Sequence, residues 1–312
     1  MRKVSTEATR PIQILGKGLE FPEGPVPLDD GSCLVVEIRG GRLSKVGTDG
    51  HVETIAALGG GPNGAAVHGD YCYVCNNGGF HWERDATGLV RAIGLAGPKP
   101  AGSIQRVNLR TGRFETLYDS CDGEPLSCPN DLVVDDAGGF WFTGHGSGFG
   151  SLIFKGALYY AKLDGSGIER VVFPMITPNG VGLSPDGRTL YASETETSRV
   201  WAFDLTGPGR VSKQPWPSPN GGRVLGVKPG WQKFDSMALE ENGNICVASF
   251  LNSAIVVFTP EGDLLETVPV EDRFCTNLAF GGPARKQAFI TLSGAGMLAV
   301  MDWPRAGLAL LT

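Results

Sequence analysis

Short runs of alternating apolar and polar residues, broken by glycine- and proline-containing turns, recur along the whole chain. In residues 177–194, TPNGVGLSPDGRTLYASE, alternating apolar residues lead into Pro185-Asp186-Gly187, and Leu190, Tyr191 and Ala192 follow. Period-2 alternation on both sides of a tight turn predicts a β-hairpin. Alignment on Asn179 brings out six segments of this kind: EGPVPLDDGSCLVVE, NGAAVHGDYCYVCN, NDLVVDDAGGFWFTG, NGVGLSPDGRTLYAS, DSMALEENGNICVAS and NLAFGGPARKQAFITLS. They begin at Glu23, Asn63, Asn130, Asn179, Asp235 and Asn277. In four of them a turn glycine stands eight residues on, at Gly31, Gly138, Gly187 and Gly243. The second copy has a shorter turn and the sixth a longer one.

A third strand candidate follows each hairpin, such as GALYYAKLD or SAIVVFT, and in most copies a fourth, such as HVETIAAL or IERVVFPM. Four-stranded units spaced 40 to 67 residues apart predict an all-β, six-bladed β-propeller occupying residues 1–312 as one domain. Only GLALL follows the last third strand, whereas RPIQILG precedes the first hairpin. The N-terminal segment is therefore expected to supply the outer strand of the last blade and close the ring. A β-helix would need shorter, more regular repeats, and a pair of sandwiches would not repeat a polar residue in fixed register.

Composition agrees with this picture. There are 46 glycines and 21 prolines for the many turns, and 41% of residues are hydrophobic, enough for a large core. The net charge of −6 is spread out, so no basic patch invites nucleic acid or an anionic membrane. No apolar run approaches the ~18 residues of a membrane span, and MRKVSTEATRPIQIL lacks the apolar core of a signal peptide. A cytoplasmic protein with no obligate protein partner is expected. The seven cysteines sit largely within strand candidates, as small buried hydrophobes do in a reducing compartment. Cys72 and Cys75 form a C-x-x-C, but on a strand positions three apart face opposite sides, which argues against zinc.

In a propeller the first strand of every blade lines the central channel, and all run the same way. Equivalent positions then form a ring. Glu23, Asn63, Asn130, Asn179, Asp235 and Asn277 are expected to face one point at one end of that channel. The ring holds two carboxylates and four amides, with no thiol or imidazole. Hard cations take such oxygen ligands, and Ca2+ accepts six to eight of them in a flexible shell. Zn2+ more often recruits His or Cys. Asn and Asp also cap turns, but turn capping does not account for Glu23 or for the shared register.

The motifs FPEGPV, PNDLVVDDAGGFWFT, TPNGVGLSPDGRTLYASET and CTNLAFGG resemble the senescence-marker-protein/gluconolactonase/luciferin-regenerating-enzyme (regucalcin-like) family over nearly the whole chain. The resemblance implies a six-bladed propeller with one catalytic divalent metal in the channel. Ca2+ is the first expectation, with Zn2+ or Mn2+ as alternatives. It places Glu23, Asn179 and Asp235 on metal-ligand positions and Asp235 on the catalytic acid/base. Asn130 falls where some members contact substrate and related phosphotriesterases ligate the metal. Sugar-lactonase members often carry an arginine two residues before Asn130. Cys128 stands there in this sequence, which weakens the grip expected for a hydroxyl-rich sugar lactone.

The implied activity is metal-dependent lactone or ester hydrolysis on a small molecule. Asp235 would serve as base, and Asn130, Asn63, Asn277, Cys128 and His145 as substrate contacts. The rivals are a phosphotriesterase on the same metal and a non-catalytic calcium-binding propeller. His81 and His145 lie in loops after second strands, where a general base is conceivable and ordinary loop polarity is the competing explanation. Glu194 and Glu196 are expected to be solvated at the far end of their blade. The 77–101 segment is long for a propeller turn and is expected to cover the channel mouth as a loop.

Overall fold

The computed structural model describes residues 6–7, 9–96, 102–149 and 152–311. Six antiparallel sheets form a six-bladed β-propeller. Blade one runs Pro22–Pro27, Cys33–Glu37, Arg42–Val46 and Val52–Ala57 from the inside outward. The inner strands of the other five are Pro62–His68, Pro129–Val134, Pro178–Leu183, Phe234–Leu239 and Cys275–Gly281. Inner strands of neighbouring blades touch all the way round, and that of blade six touches that of blade one. The one helical element among the described residues is a 3-10 turn at Pro283–Arg285, and none is long and apolar enough to cross a membrane.

The outer edges are less regular than the hairpins. In blade four two short strands, Arg210–Ser212 and Arg223–Val227, share the edge of Arg199–Gly207. Blade five gains Thr6–Glu7, parallel to Leu264–Pro269. In blade six Ile12–Lys17 pairs antiparallel with Met297–Asp302. A chain of charge pairs follows: Arg10 meets Glu266, and Arg305 meets both Glu266 and Glu240. Trp303 lies against both guanidinium groups and donates its indole N–H to Glu240 at 2.7 Å.

The hydrophobic core is divided into wedges between blades. Leu132, Phe140, Phe142, Tyr73 and Ile104 fill the space between blades two and three, and Cys246, Ile255, Leu278 and Ile290 that between five and six. Second strands are buried on both faces, because each face meets a different neighbour. Cys72 accordingly belongs to one wedge and Cys75 to another, and all seven cysteines are free and buried.

One satellite cluster positions the site. The stretch expected to be a loop after Asn76 contains a hairpin, Phe80–Arg84 with Val90–Leu95. Residues 97–101 lie outside the described residues. The hairpin leaves blade two and docks on blades one, five and six through Phe21, Ile38, Phe250 and Phe274. Trp82 sits 4.8 Å from Phe21, centroid to centroid, and the Val90 N–H donates to the Gly294 carbonyl at 3.1 Å. Aromatic burial and a tertiary hydrogen bond thus hold a segment whose alternation alone is weak.

Candidate active site

Every inner strand loses regular pairing at the same level. The register slips between Glu23 and Val26, Pro62 and Gly64, Pro129 and Leu132, Pro178 and Val181, Phe234 and Met237, and Cys275 and Asn277. A bulge adds a residue to one strand and re-aims side chains, which is why bulges gather beside functional sites. Here six bulges turn one residue each toward a cavity of about 470 Å3. Those residues are Glu23, Asn63, Asn130, Asn179, Asp235 and Thr276.

The sixth member differs from expectation. Asn277 does not line this cavity; it lies one step deeper, and its Nδ2 donates to Glu23 Oε2 at 2.8 Å. The bulge in blade six makes Thr276 the extra residue and restores pairing at Asn277, opposite Thr291. The sequence held a signal for this. In blades three, four and five the first buried apolar residue, Leu132, Val181 or Met237, stands two after the ring residue, and counting back from Leu278 gives Thr276.

Hydroxyl groups on second strands fix the ring from the side. Thr143 Oγ1 in blade three donates to the Asn179 carbonyl of blade four. Ser193 Oγ in blade four donates to the Asp235 carbonyl of blade five at 2.6 Å. Ser293 Oγ, just past the second strand of blade six, donates to the Pro22 carbonyl of blade one at 2.6 Å. Close backbone approach completes the fit. A Cβ on Gly64 would stand 2.5 Å from the Asn130 carbonyl, and one on Gly180 would stand 2.7 Å from the Met237 nitrogen.

Two positions before the ring, Phe21, Cys128 and Thr177 hold φ angles of 57°, 50° and 47°. Non-glycine residues seldom occupy this left-handed region, and such strain concentrates at functional sites. Four backbone bonds tie these positions to an upper tier of the wall. The N–H groups of Ile38, Asn77, His145 and Thr195 donate to the carbonyls of Phe21, Gly61, Cys128 and Thr177 respectively. All four donors line the cavity. Cys128 and His145, two expected substrate contacts, are therefore neighbours on its wall.

Electrostatics single out three acids. Burial raises the Glu23 carboxyl to about 7, against the pull of hydrogen bonds from Asn277 and Thr276. Burial and then the Glu23 charge raise Asp131 to about 8. Asp235 keeps a narrow opening onto the cavity but is otherwise enclosed, and that enclosure, then the charges of Glu23 and Asp131, lifts it well above the usual carboxylate range. Asp131 is buried directly beneath the ring and was not singled out by the sequence pattern, which treated it as an ordinary strand residue. Burial lowers His145, favouring the neutral imidazole, and pushes the Cys128 thiol up to about 12.

Lys233 is the one Lys or Arg on the described cavity wall, and its Nζ is 2.5 Å from Glu196 Oε1. Glu196 therefore stands at the rim rather than at the far end of its blade. Glu194 is buried, accepting from the Ile176 N–H at 2.7 Å. His81 is exposed and does not line the cavity. Above the polar floor part of the wall is apolar, formed by Phe21, Ile38, Phe250 and, from the hairpin, Phe80, Ala92 and Leu95, while Asn77, His145, Thr195 and Lys233 line the rest. No three acidic, thiol or imidazole groups among the described residues stand together as a metal cluster. A cation here would rely on carboxylates mixed with amide oxygens.

Comparison with known proteins adds an independent line. The model of the SMP-30/Gluconolactonase/LRE-like region matches residues 21–294. Lactonase drp35 of Staphylococcus haemolyticus (strain JCSC1435) is 28% identical over 254 residues, 80% of this chain and 70% of that protein. Diisopropyl-fluorophosphatase of Loligo vulgaris is 28% identical over 212 residues, 63% of this chain and 64% of its own length. The structure of a Xanthomonas campestris gluconolactonase superposes with a TM-score of 0.72 at 23% identity, covering 94% of this chain and 89% of that one. That last similarity is one of fold.

Proposed function

Because the chain belongs to the SMP-30/gluconolactonase/LRE-like family, we propose that it is a hydrolase that opens a lactone or related cyclic ester with the help of one divalent cation. The observation that carries this reading is the convergence of Glu23, Asn130, Asn179 and Asp235 on one cavity floor. The floor suits a hard cation: its donors are oxygens, and its buried acids crowd together, while Lys233, the one Lys or Arg on the described wall, is already paired at the rim. Like charges so enclosed favour either protonation or a bound positive ion. Glu23, Asn179 and Asp235 would hold the ion, with Ca2+ as first choice and Zn2+ or Mn2+ as alternatives. A bound divalent cation supplies Lewis-acid stabilisation of the negative charge that develops on a lactone carbonyl oxygen.

The chain's own groups do the rest. Asp235, ionised in that setting, accepts a proton from the attacking water at a carboxylate oxygen. The hydroxyl staple from Ser193 and the Asn179 amide hold it in place. Asn130 and Asn63 orient the substrate from adjoining blades, and neutral His145 offers a donor or acceptor on the wall. Asn277 acts through Glu23, which it hydrogen-bonds, rather than on substrate. The apolar part of the wall excludes water and favours less hydroxylated substrates, in line with Cys128 at the arginine position. The pairing of Ile12–Lys17 with Met297–Asp302 supports reading that N-terminal strand as the closure of the ring.

The test is a pH-indicator assay of chelator-stripped protein on sugar, aliphatic and aromatic lactones, with Ca2+, Mn2+ or Zn2+ restored. Cation-dependent turnover of at least one lactone is expected. The similarity to the Loligo vulgaris enzyme favours running an organophosphate in parallel. Hydrolysis of that substrate alone would replace the lactonase reading with a phosphotriesterase one. Cation binding without any turnover would leave a non-catalytic calcium-binding propeller.

A further inference from the structure

Asn77 follows the second strand of blade two, Tyr71–Asn76, at the place His145 takes in blade three and Thr195 in blade four. It is 1% exposed and lines the cavity. Its Oδ1 accepts the Gly79 N–H at 2.8 Å. A backbone N–H can only donate, so this contact fixes which end of the amide is oxygen. The remaining end, Nδ2, carries two hydrogens and has no acceptor among the described residues. Its neighbour Asn76 is satisfied at both ends, accepting from Gly61 and Gly78 and donating to the Gly59 carbonyl and to Gln105.

Buried donors are rarely left unpaired, and those that are call for a use. The surroundings are shaped to keep this amide where it is. A Cβ on Gly61 would come within 2.1 Å of Asn77 Oδ1, so only glycine fits there. The cavity walls nearest in sequence, Phe80, Ala92 and Leu95 of the hairpin, offer no side-chain acceptor.

We propose that Asn77 is a specificity-determining residue whose Nδ2 donates to an oxygen acceptor on the bound substrate, beneath the Phe80–Leu95 hairpin. The apolar hairpin refines the ligand class. A hydroxyl beneath the hairpin could accept from Nδ2, but Phe80, Ala92 and Leu95 have no side-chain acceptor for its own hydrogen. A carbonyl or ether oxygen has no such hydrogen. The site therefore selects an acceptor-only oxygen attached to an apolar substituent over a hydroxyl-bearing one. This inference rests on the lactonase reading for the identity of the ring that carries the substituent.

The test uses the full protein with its cation and reads binding rather than turnover. Pyrrolidinones, the unreactive lactam counterparts of five-membered lactones, are titrated calorimetrically carrying a methoxymethyl, hydroxyethyl or propyl substituent of equal length. The wild type is expected to bind the methoxymethyl compound roughly tenfold more tightly than the propyl one, with the hydroxyethyl compound between them. Asn77→Asp keeps the oxygen that accepts from Gly79 but replaces the donor with an acceptor. It should abolish the preference for methoxymethyl, and Asn77→Ala should bring the methoxymethyl and hydroxyethyl affinities down to the propyl value while leaving propyl binding unchanged. Equal weakening of all three ligands in Asn77→Asp would mean a structural role only and would overturn the proposal. So would a wild type that shows no preference or binds none of them. Absence of lactone turnover with the preference intact would count against the lactonase reading alone.

Discussion

The two ends of the central channel are built from the same six strands but bring different side chains together. At one end, six bulges present Glu23, Asp235, three amides and a threonine to a cavity of about 470 Å3. At the other, a larger cavity of about 590 Å3 is walled by Leu132, Val181, Met237, Leu239 and Leu278, with Leu308–Leu311 along its side, and also by Asp135, Asp136, Asp186 and Arg188 from turns between strands. Volume alone would choose the second. Chemistry chooses the first, because only there do donors from all six blades converge. Regular pairing keeps aliphatic side chains packed between blades, whereas broken pairing frees a residue to turn inward. Polar side chains gather at the bulges, and aliphatic packing in the ladders beyond them.

Substitution at each end should separate these roles. The largest effect is expected from Asp235→Asn, which keeps an oxygen and the shape but removes the proton acceptor. Turnover should fall about 10²–10⁴-fold with the fold retained by circular dichroism, and saturating cation should not restore it. Recovery at high cation concentration would make Asp235 a ligand and nothing more. Next comes Leu239→Ala at the opposite end. It removes a 7% exposed side chain from the buried cluster that also holds Tyr191, Met237 and Ile245, and should cost about 2–5 kcal/mol of stability. Its kcat/KM below the melting temperature should match that of the wild type; a large catalytic loss would mean the two ends are coupled.

The last effect is read in stability rather than turnover, as a pH dependence to which the buried acids of the bulge end contribute. Glu23 and Asp131 titrate near 4 in an unfolded chain but at about 7 and about 8 in the fold. The native state thus holds more protons between those limits, so cation-free protein should lose stability as pH rises from about 4 to about 8. Tm should fall across that window, on the order of 2–4 °C for each kcal/mol. Asp131→Asn should flatten the slope, and added Ca2+ should raise Tm more at pH 8 than at pH 5. A flat profile in cation-free wild type would remove the electrostatic argument for a cation site.

Much of this was legible in the chain itself. The six hairpins announce themselves because turn residues and period-2 alternation are local signals, and a polar residue in shared register names five of the six ring positions. Thr276 was missed because a bulge shifts register by one without changing composition, so Asn277 looked like the better match to Asn179. Asp131 and Asn77 escaped for another reason. Their environments are made by contacts with Glu23, Gly61 and Gly79, and no periodicity encodes those. The same holds for the Phe80–Leu95 hairpin, which depends on aromatic partners in blades one, five and six.

The hydroxyl staples give the ring a sense of rotation. Thr143 steadies Asn179 of the following blade, Ser193 steadies Asp235 of the next, and Ser293 reaches round to Pro22 beside Glu23. Blades one, four and five do not fully own the ring residues they carry, since part of those residues' alignment is set by the upstream neighbour. Damage to blade three, four or six is therefore felt one blade downstream. The unit that evolution can alter independently is not a blade but the seam between two of them.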